Sequence, residues 1–239
     1  MDDIKRLNEM ISESNNIVFF GGAGVSTESG IRDFRSADGI YSMDYKFSPE
    51  EVLSHSFYEN HTEDFYDFYR KYLCFPDAKP NKAHYKLAEL EKSGKLKAVI
   101  TQNVDGLHQE AGSETVYELH GSALRNYCVR CGKFHDFNSV YLSTGIPRCN
   151  CGGIIKPDVV LYEESLNDKT IYGAVNAISQ ADMLIVAGTS LKVYPAAGFI
   201  RYFNGKHFVL INMDKTDMDS DFAIVIHDKV GEVLDKITL

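Results

Sequence analysis

Short, mostly apolar runs recur along this chain, each stopped by glycine or polar residues: Ile17–Phe20, Leu96–Thr101, Val116–Leu119, Met183–Ala187, His207–Ile211 and Phe222–Ile226. Runs of this length and continuity read as strands buried on both faces. Between them lie segments of helical character. Residues from Asp3 to about Ser14 carry Ile4, Leu7 and Ile11 at helical spacing, and an aromatic-rich helix is predicted from about Glu59 to Leu73. Ser48-Pro49-Glu50-Glu51 is a helix start with Ser as N-cap and Glu three residues on, and Pro80 opens another helix ending near Gly94. Further helices are expected near Asp168–Gln180, Ala196–Phe203 and Val230–Ile237. Strands alternating with helices predict an α/β fold, a parallel sheet covered on both faces.

The polar clusters fall repeatedly just after a strand. Gly21-Gly22-Ala23-Gly24 follows the first, Gln102-Asn103-Val104-Asp105 the second, and His120-Gly121-Ser122 the third. Gly188-Thr189-Ser190, Asn212-Met213-Asp214 and His227-Asp228-Lys229 follow the others. In open α/β sheets ligands bind outside the carboxyl ends of the strands, so these groups converge on one site. Glycines at a strand-to-helix turn let the backbone approach a phosphate, and helix amides favour its charge. Gly22 and Gly24 supply two glycines of a dinucleotide fingerprint, Thr27 stands at the third place, and no P-loop lysine follows. A tight turn with no ligand fits that pair of glycines about equally well. The polar and aromatic continuation through Ser26, Asp33, Phe34 and Arg35 suits a ribose and a base better than it suits a plain helix. Ser26, Asn103 and Asp105 can bind ribose hydroxyls or an amide. His120 is the best general-base candidate, because an imidazole titrates near neutral pH.

Composition narrows the class. The chain has 239 residues, is 44% hydrophobic and 25% charged, and carries a net charge of −9, which argues against a non-specific nucleic-acid binder. The opening MDDIKRLNEM is neither a signal peptide nor a membrane span, and no long apolar run follows, so a cytoplasmic protein without disulfides is expected. Four of the five cysteines form two tight pairs, Cys128-x-x-Cys131 and Cys149-x-Cys151, flanked by Gly132, Gly152 and Gly153. Paired cysteines around a short insert are the signature of a zinc ribbon. Buried free thiols do not explain two tight pairs beside glycines. Four thiolates fill a tetrahedral shell, so the zinc is expected to be structural. The single spacer of the second pair tightens that knuckle. Cys74 stands alone and reads as a small core hydrophobe.

Taken together, Gly22-Ala23-Gly24-Val25-Ser26, Gly30-Ile31-Arg32-Asp33-Phe34-Arg35, Thr101-Gln102-Asn103-Val104-Asp105, His120-Gly121, the four cysteines, Pro157-Asp158-Val159-Val160 and Gly188-Thr189-Ser190 resemble the sirtuins, NAD-dependent protein deacylases, in a minimal bacterial-type form. The resemblance implies a Rossmann-like NAD-binding domain of residues 1–35, 80–123 and 157–239. It implies a small domain of 36–79 and 124–156, a helical insert plus the zinc ribbon. By motif, Ala23, Thr27, Asp33, Phe34 and Arg35 contact NAD from the glycine loop. Gln102 and Asn103 sit near the nicotinamide ribose, and Val104 and Asp105 hold the nicotinamide amide. Gly188, Thr189, Ser190, Asn212, Asp214, Asp228 and Lys229 surround the adenosine half, while Val160 and Tyr162 line an acyl-lysine tunnel. The implied mechanism has the acyl oxygen displace nicotinamide, with His120 accepting a proton from the ribose hydroxyls. The implied products are nicotinamide, free lysine and O-acyl-ADP-ribose. The substrate would be an acyl-lysine protein or peptide, lying as an extra strand between Val160–Glu164 and Ser190–Tyr194.

Two departures stand out: the Cys149-x-Cys151 spacing, and Glu163 where the family often has glycine. Sirtuins that take acidic acyl chains carry a Tyr-x-x-Arg pair; here Tyr66 matches but Tyr69 occupies the arginine place, with Arg70 next to it. That predicts a preference for neutral acyl groups. Two other functions compete: a mono-ADP-ribosyltransferase using the same NAD pocket, and a non-catalytic zinc-ribbon interaction protein.

Overall fold

The apolar runs pair as parallel strands. A computed structural model describes residues 3–36, 38–42 and 45–238. Helix α1 (Asp3–Glu13) feeds β1 (Ile17–Gly21). Single-turn helices follow the first glycines, and then come α2 (Pro49–Val52), α3 (His55–Asn60), α4 (Thr62–Tyr72) and α5 (Lys82–Lys92). Next are β2 (Leu96–Thr101), α6 (Leu107–Glu110), β3 (Val116–Glu118), β4 (Gly121–Cys128), β5 (Phe134–Asp136), α7 (Asn138–Tyr141) and β6 (Ile155–Val159). The chain ends with α8 (Asp168–Gln180), β7 (Met183–Ala187), a 3-10 helix (Ala196–Tyr202), β8 (His207–Ile211), β9 (Ile224–Ile226) and α9 (Val230–Leu234).

Six strands form one sheet in the order β3-β2-β1-β7-β8-β9, and every pair in it is parallel. Its register carries the functional argument. Gly21 pairs with Thr101 and Ala187, Thr101 with Glu118, Ala187 with Ile211, and Ile211 with Ile226. The strands therefore end at one level, and the polar residues after each of them emerge side by side.

β1 is buried on both faces, as its continuous apolar run requires. Ile17 and Phe19 face a cluster with Leu7 and Ile11 of α1, Leu87 and Leu90 of α5, and Val233 of α9. Val18 and Phe20 face the opposite side, packing with Ala174 and Ile178 of α8 and with Phe199 and Ile200. A second, antiparallel sheet, β5-β4-β6, ends β4 on Cys128, with the other three paired cysteines in the turns beside it. Its Ala123, Cys128, Ile155 and Val159, with Cys149 from the turn before β6, pack with Val52, Phe57, Phe65, Tyr66 and Phe68 in a third cluster. Segments far apart in sequence thus share one small core. Arg125 of β4 joins the two sheets, donating to Glu118 of β3 at 2.6 Å and to Asp158 of β6 at 2.9 Å.

Several boundaries differ from the sequence reading. The predicted helix from Glu59 to Leu73 is broken at His61, which leaves the helical region at φ −132°, ψ 46° and packs its ring on Phe57 at 4.8 Å. Thr62 starts α4 instead. The helix expected from Pro80 begins at Lys82, because Asn81 is its cap: the Asn81 side chain accepts from Ala83 N–H, and His84 Nδ1 accepts from Asn81 N–H. Phe222 and Ala223 lie outside β9, and Ala196–Tyr202 is 3-10 rather than α. Gly198 inside that segment weakens an α-helix.

α5 and α6 meet through a histidine pair. His84 and His108 are both fully enclosed, their ring centroids 4.7 Å apart. Burial pushes the His84 imidazole down to about 4 and that of His108 to about 3, the latter helped by the neighbouring His84. The unfolded chain takes up these protons near 6.5 and the folded chain refuses them. Stability is therefore complete above pH 6.5 and falls as pH drops toward 4, by up to about 1.4 kcal/mol per pH unit for each histidine. Urea unfolding at pH 7 and pH 5 should show a clear loss at pH 5, before most carboxylates titrate. Equal midpoints at the two pH values would rule this out.

Candidate functional site

The aligned strand ends open into a cleft of about 480 Å³. The glycine loop forms one wall. Gly24 N–H donates to the Gly188 carbonyl at 2.8 Å, so the turn after β1 lies directly on the turn after β7. A Cβ at Gly24 would meet Gly188 Cα at 2.7 Å, and one at Gly22 would meet the Gly188 carbonyl at 2.8 Å. These glycines are needed first for backbone to approach backbone. Thr27 Oγ1 donates back to the Gly24 carbonyl at 3.0 Å and closes the turn.

The floor is an oriented hydrogen-bond chain. Asn103 Nδ2 lies 3.1 Å from Ser26 Oγ, and Ser26 Oγ donates to Asp105 Oδ2 at 2.7 Å. Asp105 Oδ1 accepts from Leu107 N–H at 3.0 Å. Burial raises the Asp105 carboxyl above its ordinary value, and the bonds from Ser26 and Leu107 oppose that rise. The loop bearing these groups is braced from behind. Asn81 Nδ2, from the cap of α5, donates to the Val25 carbonyl at 2.8 Å and to Ser29 Oγ at 3.0 Å. Asn81 was legible in the sequence only as a position beside Pro80, with no motif marking it.

His120 stands across this floor. Its Nδ1 is 2.9 Å from the Gln102 carbonyl, and a carbonyl only accepts, so Nδ1 carries the proton and Nε2 is left as an acceptor. Burial lowers its pKa below the usual imidazole value, opposed by the Gln102 bond. The next residue, Gly121, has φ +76°, and a Cβ there would lie 1.9 Å from the Asp158 carbonyl. The histidine is thus pinned between the large sheet and the β4–β6 pair. Val160 N–H donates to the His120 carbonyl at 2.9 Å, which sets the adjoining wall of Val160 and Tyr162.

The far end is built by Gln102, Thr189 and Asn212. Gln102 Nε2 donates to Thr189 Oγ1 at 3.0 Å. Asn212 Oδ1 accepts from Thr189 N–H at 3.0 Å and Asn212 Nδ2 donates to the Thr189 carbonyl at 2.7 Å. The Asn212 amide is committed to shaping the turn after β7. Asp33 acts similarly, its Oδ1 accepting from Arg35 N–H and Ser36 N–H at 3.1 and 2.9 Å.

Gly22, Ala23, Gly24, Thr27, Asp33, Phe34, Arg35, Gln102, Asn103, Val104, Asp105, His120, Gly188, Thr189, Ser190, Asn212, Asp214, Lys229, Val160 and Tyr162 all line the cleft. Asp228 does not; its carboxylate accepts from Lys229 N–H at 2.8 Å and caps the turn. Lys192 and Lys215 also line the cleft, and neither sits in a recognisable motif.

The four cysteines converge. The sulfurs of Cys128, Cys131, Cys149 and Cys151 lie within 4.8 Å of one another, with Cys128–Cys151 at 3.4 Å and Cys131–Cys149 at 3.8 Å. Tetrahedral thiolates about 2.3 Å from a zinc have sulfurs about 3.8 Å apart, so the donor set fits that ion. Both knuckles close through glycine: Gly132 N–H donates to the Cys128 carbonyl and Gly152 N–H to the Cys149 carbonyl. The single spacer between Cys149 and Cys151 is accommodated by that second turn.

A profile of the Sir2 family matches residues 22–195, most of the chain. The chain belongs to the Sir2 family. Among relatives, proteins named NAD-dependent protein deacetylase from Clostridium perfringens and Clostridium acetobutylicum are each 59% identical, over 242 and 241 residues. They cover 99% of this chain and 99% and 98% of their own length. A solved structure concerned with the mechanism and regulation of Sir2 enzymes superimposes with a TM-score of 0.89 at 41% identity, covering 98% of this chain and 96% of that one. A Sir2 variant solved with a deacetylated peptide and 3′-O-acetyl-ADP-ribose gives 0.89 at 38% identity, with the same coverage. The Sir2 fold thus accounts for both sheets and the cleft between them.

Proposed function

We propose that this chain is an NAD-dependent protein-lysine deacetylase, transferring the acyl group to ADP-ribose with release of nicotinamide and free lysine. The observation that carries the reading is His120: a half-buried imidazole, its pKa lowered by burial, with Nδ1 tied to a carbonyl and Nε2 left as an acceptor, in one cleft with the Ser26–Asn103–Asp105 chain. The near-full-length likeness to proteins named deacetylases supports it.

NAD, when bound, supplies the leaving nicotinamide and the ribose that accepts the acyl group. The protein's residues do the rest. Asp105 and Asn103 orient the carboxamide and the adjoining ribose, and Ser26 holds both side chains in register. His120 Nε2 takes a proton from a ribose hydroxyl, which makes that oxygen a nucleophile toward the acyl carbon. The turn of Gly22–Gly24, with no side chains at its glycines and with Gly22 and Gly24 N–H bonded to the Ala187 and Gly188 carbonyls, lets the backbone approach the phosphates closely. Val160 and Tyr162 flank the acyl-lysine. Cys128, Cys131, Cys149 and Cys151 would hold a structural zinc with no open position, remote from the chemistry.

The reading divides the chain into a dinucleotide-binding domain (1–35, 80–123, 157–239) and a small domain (36–79, 124–156). The antiparallel sheet and its apolar cluster support a second unit, with β4 and β6 running across the boundaries at 123/124 and 156/157. It places the protein in the cytoplasm, where thiolates stay reduced. Among the described residues no helix is long and apolar enough to cross a membrane.

Nicotinamide release is the decisive assay. Release that depends on added acetyl-lysine peptide is expected. Release without peptide would favour an ADP-ribosyltransferase, and no release a binding module.

Acyl selectivity follows from the small core. Tyr66 is fully buried and donates to the Ile155 carbonyl at 2.7 Å, and Tyr69 is likewise buried; neither lines the cleft. Arg70 is committed to the Gly145 carbonyl at 2.8 Å and Asp67 at 2.8 Å. The other cation of this helix, Lys71, sits with its ammonium 5.0 Å over the Tyr72 ring, and neither Arg70 nor Lys71 lines the cleft. On one peptide carrying acetyl-, butyryl- or succinyl-lysine, kcat/KM for succinyl should be at least about tenfold below acetyl, the loss of one charge-assisted bond. Succinyl-lysine used as well as acetyl-lysine would refute this.

A further inference from the structure

Two tyrosines meet across the exposed edge of the cleft. The hydroxyls of Tyr41 and Tyr162 lie 2.9 Å apart. Each is anchored on a different side.

Tyr162 belongs to the segment after β6. Its N–H donates to the Leu53 carbonyl at 2.9 Å, and its carbonyl accepts from His55 N–H at 3.0 Å. Glu163, the next residue, holds φ +75°, a left-handed conformation uncommon for a residue with a side chain. It is held there by Ser56, whose N–H and Oγ both donate to the Glu163 carboxylate, at 2.8 and 3.0 Å. Glu164 accepts from Leu161 N–H at 2.9 Å, and its carboxylate lies 2.8 Å from His55 Nδ1. The base of Tyr162 is therefore fixed to the start of α3.

Tyr41 belongs to the other wall. Its N–H donates to the Phe34 carbonyl at 2.9 Å. Its ring meets the Phe34 ring edge-on at 5.8 Å, and the Arg35 guanidinium sits 5.0 Å over its face. Phe34, Arg35 and Tyr162 all line the cleft, the first two on the side the functional reading gives to NAD and Tyr162 on the side it gives to the acyl-lysine. The path from one wall to the other is thus three contacts long: the segment after β6 to the Tyr162 ring, hydroxyl to hydroxyl, and the Tyr41 ring to Phe34 and Arg35.

We infer that Tyr41 and Tyr162 are positioning residues of the deacylation reaction, their hydroxyl pair tying the NAD-side wall to the acyl-lysine wall so that each ligand preorganises the site for the other. The inference rests on the functional reading above. A ligand that orders one wall lowers the cost of ordering the other only while the two are joined, and such coupling is reciprocal. One neutral hydrogen bond between partly exposed hydroxyls sets its size at roughly 2- to 12-fold in binding.

The test uses ADP-ribose, which occupies the NAD side without turnover, and an acetyl-lysine peptide. The peptide Kd is measured with and without saturating ADP-ribose. The wild type should bind peptide roughly 2- to 12-fold tighter with ADP-ribose present. Tyr41→Phe and Tyr162→Phe, which keep both rings, should each bring the ratio close to one, and the double variant should change it no further. The reciprocal ratio, ADP-ribose Kd with and without peptide, should match in every variant. Thermal melting should be unchanged in the phenylalanine variants, separating lost coupling from lost fold. A wild-type ratio of one, a ratio that survives both substitutions, or effects that add as independent losses would overturn the inference. A wild type that deacetylates and yet shows any of these refutes the coupling alone. A wild type that does not deacetylate refutes the functional reading.

Discussion

His120→Ala is expected to lower deacetylation by about 10²–10⁴-fold, the usual contribution of a general base, while fold and ADP-ribose binding survive. The fold survives because the residue acts at a strand end: its backbone carbonyl still accepts from Val160 N–H, and Gly121 still supplies the left-handed turn. Nicotinamide exchange should fall less than product formation, since the leaving group departs before the proton transfer that Nε2 performs. The pH profile gives a second check. The working form is the neutral imidazole, and burial moves its pKa down. The acidic limb of kcat/KM should therefore lie below 6.5, the unperturbed histidine value, and should vanish with His120. A His120→Ala variant that deacetylates at the wild-type rate would falsify the assignment.

Removing the metal is the other large effect. About one zinc per chain is expected in purified protein, bound by Cys128, Cys131, Cys149 and Cys151. A structural zinc contributes about 10–16 kcal/mol of apparent binding energy in small zinc-finger peptides, against about 5–15 kcal/mol for the whole stability of a typical domain. Stripping it with a strong chelator, or making Cys149→Ser, should therefore unfold the β4–β6 region rather than loosen it. Cys128 and Cys149 sit in the same cluster as Phe57, Phe65 and Tyr66, so the helical insert loses its packing with them. β4 also runs from Gly121, beside the base, to Cys128, so activity should be lost although no ligand touches a reacting atom. Near-ultraviolet dichroism and zinc analysis on the same sample report both losses. Metal-free protein with full activity would sink the claim.

The legible part of this fold was the part with one dominant physical cause. β1, β2, β7 and β8 announced themselves because burial demands mostly apolar runs, and α8 lies where a helix is expected, over Asp168–Gln180; the structure adds its cap, the Asn167 side chain accepting from Lys169 N–H and Thr170 N–H. The convergence of strand-end residues was legible for the same reason, since a parallel sheet puts its carboxyl ends on one side. What escaped notice was decided by distant partners. β4 alternates too irregularly to stand out, and pairing with β5 and β6 makes it a strand. Asn212 and Asp33 line the cleft, and their side chains also bond to the backbone, a second role that a place at a strand or turn end does not announce. Asn81 read as nothing, though its amide braces the glycine loop. Polar side chains can satisfy either ligand or backbone, and sequence spacing does not distinguish the two.

The strand order also governs how this chain is made. β1, at residues 17–21, hydrogen-bonds on one side to β2 and on the other to β7, which begins at residue 183. At the synthesis rate of about 5–20 residues per second, β1 waits on the order of ten to thirty seconds for its second neighbour. During that interval the edge of β1, with Val18 and Phe20 destined for burial, is exposed on the growing polypeptide. The ribbon and helical insert are fully emerged before β7 and can fold first, given metal. Translation speed, chaperone capture and zinc supply during synthesis thus bear directly on yield, and a ribosome stalled before Met183 presents a ready site for aggregation.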